Sequence, residues 1–229
     1  MIRLENVSKI YTLGEIQVKA LDNINLSICE QDYVSIMGPS GSGKTTLLDV
    51  MSTMMKPTFG KIFIEKKETT KMSNTELASF RGQKIGFIFQ TFNLLPKLSA
   101  LENVMVPMWV NNTTRSERIT NAKNILESVG LGDKLQNRPN QMSGGQKQRV
   151  AIARALALNP NIIVADEPTG NLDSKSGKIV MDILNDLNKK DGKTLIIVTH
   201  DQSIGEKAKR KIVIKDGQIL NGNTKVCQL

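Results

Sequence analysis

Two kinds of hydrophobic spacing divide this chain. Near its start, apolar and polar residues alternate: Ile2, Leu4 and Val7, then Val18, Ala20, Leu21, Ile24, Leu26 and Ile28. A period of two is the pattern of a half-buried strand. Residues 1–7 and 18–28 are therefore expected as strands of a β-layer, with Tyr11 to Gln17 as the loop between them. Other strands are short unbroken apolar runs: residues 33–38, Ile162 to Ala165 and Leu195 to Thr199. Such runs suit parallel strands buried on both faces. Lys61–Glu65, Lys84–Phe89 and Lys211–Ile214 are expected as further strands, and Asp216-Gly217 as a turn before a last short one.

Helices are announced by their first turns. Ser73/Glu76, Ser99/Glu102 and Thr114/Glu117 each place a hydroxyl three residues before a carboxylate, the spacing of a capping box. Ile119, Ala122, Leu126 and Val129 then recur at helical spacing, with Gly130 and Gly132 as the stop. Residues 99–158 are expected to be almost wholly helical, whereas after Asn159-Pro160 strands and helices alternate again, including a helix over Ser174–Lys190 and a short one over Ser203–Ala208. Alternation of this kind implies a parallel sheet. The reading is a single α/β domain over residues 1–229, with a helical subdomain at about 91–158 inserted in the α/β core.

Composition narrows the classes. The 229 residues are 39% hydrophobic and 23% charged, with a net charge of +9, which fits a globular chain. No run of about 18 apolar residues is present, so no bilayer-spanning segment is expected. The N-terminus lacks the apolar centre of a secretory leader, which points to the cytoplasm. The basic surplus is scattered without interleaved aromatics; it is compatible with nucleic-acid binding but does not argue for it, and nucleic acid is not expected as a partner. Cys29 and Cys227 are the two cysteines, and free thiols in a reduced compartment are the expectation. With a single histidine there is no Cys/His cluster of zinc spacing.

The chemistry concentrates in one segment, Gly38-Pro39-Ser40-Gly41-Ser42-Gly43-Lys44-Thr45. It fits G-x-x-x-x-G-K-[ST], and it lies between an apolar strand and a helix-like stretch beginning at Thr45-Thr46. Glycines let successive backbone N–H groups approach a phosphate, and the following helix presents its N-terminal end to the same anion. Lys44 adds positive charge for β- and γ-phosphates, and Thr45 offers a hydroxyl to Mg²⁺. A nucleoside triphosphate is the ligand this loop implies.

A second group surrounds it. Asp166-Glu167 ends the apolar run 162–165 and so falls at the C-terminal edge of a parallel sheet, where ligands of such folds bind. Asp166 is placed to hold Mg²⁺, and Glu167 to orient or deprotonate the water attacking the γ-phosphate. His200 ends the next strand and is either a γ-phosphate contact or merely exposed. Ser143-Gly144-Gly145-Gln146 opens another helix: a second anion nest, or an ordinary N-cap with glycines. Gln90 follows strand 84–89 and carries an amide that can ligate Mg²⁺ or water. Tyr11 can stack on adenine or simply pack.

Taken together these residues resemble the ATP-binding-cassette (ABC) ATPases over nearly the whole chain. Tyr11 matches the adenine-stacking aromatic, Gly38 to Thr46 the Walker A loop, Gln90 the Q-loop and Ser143 to Gln146 the signature. Ile162 to Glu167 matches the Walker B strand, Asn171-Leu172-Asp173 the D-loop and His200 the switch histidine. Met142 stands where the usual signature begins with Leu. The resemblance implies ATP and Mg²⁺ as cofactors, and a head-to-tail homodimer sandwiching two ATP. Each γ-phosphate would then meet Lys44 and His200 of one subunit and Ser143 and Gly145 of the other. A narrower likeness, to the ATPase subunits of macrolide-export, lipoprotein-release and cell-division systems, rests on Gly86–Pro96, Leu101–Val104 and Glu167–Asp173.

That likeness implies separate integral membrane permease subunits, with this chain peripheral on the inner face of the membrane. Four of the six phenylalanines lie between Phe80 and Phe92, and Leu94, Leu95, Leu98, Met105, Met108 and Trp109 continue the apolar character. These residues either fill the insert's own core or remain partly exposed as a groove for a partner helix. Two other classes stay open: a regulatory cassette that signals through a membrane partner without moving cargo, and a nucleic-acid-associated ABC ATPase.

Overall fold

The computed structural model describes residues 2–110 and 113–221. It divides into two compact units, Met1–Arg81 with Gly192–Leu229, and Gly82–Asp191.

The first unit holds two sheets. One is antiparallel: β1 (Ile2–Leu13), β2 (Ile16–Ile28), β4 (Phe59–Ile64) and β5 (Lys67–Glu68), in the order β2-β1-β4-β5. In the other, β3 (Tyr33–Met37) lies between β8 (Thr194–Val198) and β9 (Arg210–Lys215), parallel to both, and β10 (Gln218–Asn221) closes the edge antiparallel to β9. Every residue of β3 and β8 is buried, the burial expected of continuous apolar runs. The turn between β9 and β10 is Asp216-Gly217, both left-handed (φ 48° and 74°), as a two-residue hairpin of matching twist requires. Helix α1 (Lys44–Met51) follows β3, α2 (Asn74–Lys84) follows β5 with its last residues in the second unit, and the short α7 (Gln202–Gly205) follows β8.

The second unit has β6 (Ile85–Ile88) parallel to β7 (Ile162–Asp166), with Ile85 opposite Ile162 and Ile88 opposite Ala165. Its helices are α3 (Ala100–Met105), α4 (Arg115–Ser128), α5 (Gly144–Leu156) and α6 (Ser174–Lys189). All three expected capping boxes form. Glu76, Glu102 and Glu117 each accept from the N–H of Ser73, Ser99 and Thr114, and each donates its own N–H to the hydroxyl in return. Leu101, Val104, Met105, Met108, Ala122, Leu126 and Val129 are buried.

Two expectations are corrected. Tyr11 is not in a loop: β1 continues to Leu13, Tyr11 pairs with Val18, and only Gly14-Glu15 turns the chain. Ile16 and Gln17, expected in that loop, open β2 and are exposed, so no burial alternation marks the strand there. Cys29 is disulfide-bonded rather than a free thiol; separation along a chain says nothing of distance in space, and Cys227 lies outside the described residues.

Candidate functional site

In the first unit the phosphate-loop residues sit where β3 runs out. Gly43 is left-handed (φ 101°) and caps α1; a Cβ there would come within 2.5 Å of the Ala20 carbonyl. One on Gly38 would meet the Ile214 carbonyl at 2.1 Å and Ser42 Oγ at 2.7 Å. Both positions therefore admit only glycine. Ser42 Oγ is buried without a hydrogen-bond partner, an orphan that a phosphate oxygen would satisfy. Lys44 Nζ donates to the carbonyls of Gly38 (3.0 Å) and Pro39 (2.7 Å), which holds its charge over the loop. Ser40, Gly41 and Thr45 are exposed, and Thr46 is half-buried. The loop residues therefore fit a polyphosphate.

His200 follows β8, two residues past its end, at the same C-terminal edge as the loop, because β8 and β3 are parallel neighbours in register from Tyr33/Leu195 to Ile36/Val198. Thr199 N–H extends that ladder to the Ile36 carbonyl (3.2 Å). Asp201 then caps α7, and the hydrogen bond from Ser203 holds its carboxyl below the usual range. Tyr11 is half-buried, donates its hydroxyl to Met55 Sδ (3.2 Å), and has Lys9 Nζ 5.4 Å from its ring centroid.

In the second unit, Gln90 and Asp166-Glu167 share the C-terminal edge of the parallel β6/β7 pair. Glu167 is left-handed (φ 45°) without being glycine, a conformation that costs about 1–2 kcal/mol and persists where its surroundings impose it. Its carbonyl accepts from Gly170 N–H at 3.1 Å. A Cβ on Gly170 would lie 2.8 Å from Gln90 Nε2 and 3.5 Å from Glu167 Cβ, so this glycine is where the Gln90 amide and the Glu167 turn approach each other. Asn171 Nδ2 donates to the Gln90 carbonyl (3.0 Å).

The Ser143–Gln146 segment is a fourth capping box. Ser143 Oγ accepts from Gln146 N–H, and Gln146 Oε1 accepts from Ser143 N–H at 2.9 Å. The Gln146 side chain is thus occupied by the cap, while the Ser143 hydroxyl keeps its proton to donate. Gly145 is buried against α6, where a Cβ would meet Ser176 Oγ at 2.6 Å; one on Gly144 would sit 3.4 Å from Leu172 Cδ2. Asp173 caps α6 by accepting Ser176 N–H (3.0 Å), and this bond lowers its pKa.

The structure thus groups Tyr11, the phosphate loop and His200 in one unit, and Gln90, Asp166, Glu167, Ser143–Gln146 and Asp173 in the other. Sequence reasoning passed over Gly170, Ser176, Gln148 and Arg154, whose parts are played through backbone or through helix packing. Among the described residues no group of three or more His, Cys, Asp or Glu could hold a metal ion. A Mg²⁺ arriving with phosphates needs fewer protein ligands than that. A cavity of about 380 Å³ is lined by Asp22–Leu26, Arg210 and Gln218–Leu220 and contains none of the candidate residues.

An α/β cassette with a phosphate loop at the end of a buried strand is the architecture of a nucleotide-binding protein. The chain belongs to the ABC transporter family, whose description it matches over residues 21–170. It is 54% identical over 220 residues to the uncharacterized ABC transporter ATP-binding protein MJ1508 of Methanocaldococcus jannaschii, covering 96% of this chain and 98% of that one. It is 48% identical over 225 residues to the macrolide export ATP-binding/permease protein MacB of Aggregatibacter actinomycetemcomitans, covering 98% of this chain but 35% of MacB. The dimeric post-hydrolysis structure of the ATP-binding cassette MJ0796 bound to ADP and Pi superposes with a TM-score of 0.91 at 46% identity, covering both chains completely. MJ0796 is likewise from Methanocaldococcus jannaschii. No helix among the described residues is long and apolar enough to cross a membrane.

Proposed function

We propose that this chain is the Mg²⁺-dependent ATPase of an export-type ABC system: a single ABC domain, with residues 91–158 as its helical insert, that pairs head-to-tail with a second copy around two ATP and drives separate membrane permease subunits. The observation that carries it is the phosphate loop, where two glycines have no room for a Cβ, a buried hydroxyl lacks a partner, and Lys44 is held over the loop by two carbonyls. The likeness to MJ0796, a cassette solved as a dimer with ADP and Pi, supports pairing and hydrolysis. The likeness to MacB, where cassette and permease share one chain, supports a membrane partner and an export direction.

In this reading Ser40 to Thr46 bind the phosphates through backbone N–H groups, Lys44 and the hydroxyls, while Tyr11 stacks on adenine. Thr45 and Asp166, with Gln90, would hold Mg²⁺, which supplies charge neutralisation on the phosphates when bound. Glu167 orients the lytic water and takes its proton, His200 donates to the γ-phosphate, and Ser143, Gly144 and Gly145 close over the partner's nucleotide, with Asp173 and Gln146 fixing the helix ends beside them. The chain works peripherally, on the inner face of the membrane, through its permease.

Glu167→Gln tests this directly. It keeps the size and the left-handed turn but cannot accept the proton. Turnover is expected to fall at least about a hundredfold, with ATP affinity retained and an ATP-dependent dimer accumulating in sedimentation velocity. Steady-state turnover near the wild-type rate would reject the assignment.

A further inference from the structure

Arg154 is the strongest group that the reading above leaves unused. It lies in the last turn of α5, half-buried, and burial lowers the pKa of its guanidinium. Two of its N–H groups reach successive backbone carbonyls of the segment just after Gln90: Nη2 donates to Phe92 O (2.9 Å) and Nη1 to Asn93 O. Bonds from a charged donor to a neutral carbonyl are among the stronger polar contacts.

The segment so held is unusual. Phe92 and Asn93 are consecutive left-handed residues (φ 62° and 50°). Asn tolerates that region, but Phe does not enter it unaided. Short bonds tighten the turn, from Asn93 N–H to Thr91 O (2.6 Å) and between Thr91 Oγ1 and Asn93 Oδ1 (2.9 Å). The Phe92 ring runs along α5 toward its other end: its Cζ lies 4.0 Å from the position a Cβ on Gly144 would take. Between the two, Gln148 Nε2 contacts Phe89 O at 3.4 Å. One helix thus grips the turn after Gln90 near its C-terminus and carries Ser143 at its N-cap, about 16 Å away along the axis.

We propose that Arg154 is a positioning residue: by clamping the left-handed Phe92-Asn93 turn it sets where the Ser143 end of α5 stands relative to Gln90, and so governs how readily ATP joins two copies of the chain. A guanidinium is needed because its planar fork bonds two carbonyls at once, while a lysine ammonium is a single point donor. The inference rests on the proposed ATP-dependent pairing. It adds that pairing depends on a side chain at the opposite end of α5 from Ser143.

The test uses the full chain carrying Glu167→Gln, so that ATP is not consumed. Dimer fraction against ATP is read by sedimentation velocity, monomer affinity by fluorescence of a labelled ATP at low protein concentration, and folding by thermal melting. Arg154→Met is expected to raise the ATP concentration for half-dimerisation by about tenfold or more while monomer affinity stays within about twofold. Arg154→Lys is expected to fall between Met and wild type, and it serves as the second variant should Arg154→Met fold poorly. Unchanged dimerisation in both variants overturns the inference. So does an equal loss of monomer affinity and dimerisation, the pattern of simple unfolding. If the Glu167→Gln parent does not dimerise with ATP, the proposed function falls and this inference with it; if the parent dimerises, the variants judge the inference alone.

Discussion

At the scale of single residues, most of the candidate chemistry sits on backbone that ordinary side chains avoid or on atoms already constrained by neighbours. Glu167, Phe92 and Asn93 are left-handed without being glycine. Tyr33 shows a different kind of constraint. It opens β3, is 3% exposed, and its hydroxyl is buried without a hydrogen-bond partner. Burial pushes its pKa up to about 12. Because the folded-state value is raised, the associated stability is present below the unfolded pKa of about 10 and disappears as pH rises through the folded value. Tyr33→Phe removes both the orphan hydroxyl and this titration. We expect its urea midpoint at neutral pH to equal or exceed that of wild type, and its advantage to grow between about pH 10 and 12. A wild-type chain that loses no stability relative to the variant across that window would contradict the burial of this phenol. Such effects were invisible in the sequence, where Tyr33 was one more apolar position in a strand. Arg154 was invisible for another reason: its partners are backbone carbonyls 61 and 62 residues upstream, and carbonyls have no residue identity to read.

At the scale of elements, helix starts were the most legible feature, because a capping box needs only two side chains at a fixed spacing. Strands read well wherever burial alternated or ran unbroken. They were lost between Tyr11 and Gln17, where β1 runs on to Leu13 and β2 already begins at Ile16, with Ile16 and Gln17 exposed. Ser143 illustrates an ambiguity that spacing alone leaves open, since the residue is a helix cap and a proposed ligand for the partner's nucleotide at once. Ser143→Asp separates the two. Aspartate caps a helix as well as serine does, so melting temperature is expected to hold within a few degrees. Its negative charge would face phosphate, so ATP-driven dimerisation is expected to vanish in a sedimentation series. A variant that still pairs would leave Ser143 as a cap and nothing more.

At the scale of the whole molecule, the sequence foresaw an α/β protein with a helical stretch and named the ends of the strands where chemistry gathers. It could not divide the apolar residues after Gln90 between interior and surface, because hydrophobicity does not record which side is covered. The structure buries Met105 and Met108 but leaves Leu95, Trp109 and Val110 45%, 55% and 80% exposed. A contiguous apolar patch left in water marks a surface that meets a partner, and we propose that Trp109 and Val110, adjacent in the chain, belong to one that takes a helix of the permease. Trp109→Ser should leave ATP turnover of the isolated chain unchanged while weakening capture by the reconstituted permease about tenfold. Equal capture by both proteins in a pull-down titration would move the docking surface elsewhere.

The reciprocal bonds between Ser143 and Gln146 have one more consequence. Because each satisfies the other's N–H within a single chain, the leading edge of α5 is complete before any nucleotide or second copy arrives. In the proposed pairing little fresh order would then need to be created when two molecules meet, so the entropy lost at each encounter would stay small. Parting after the triphosphate is cut would likewise leave that edge intact, and the same surface could be engaged again without refolding in every cycle.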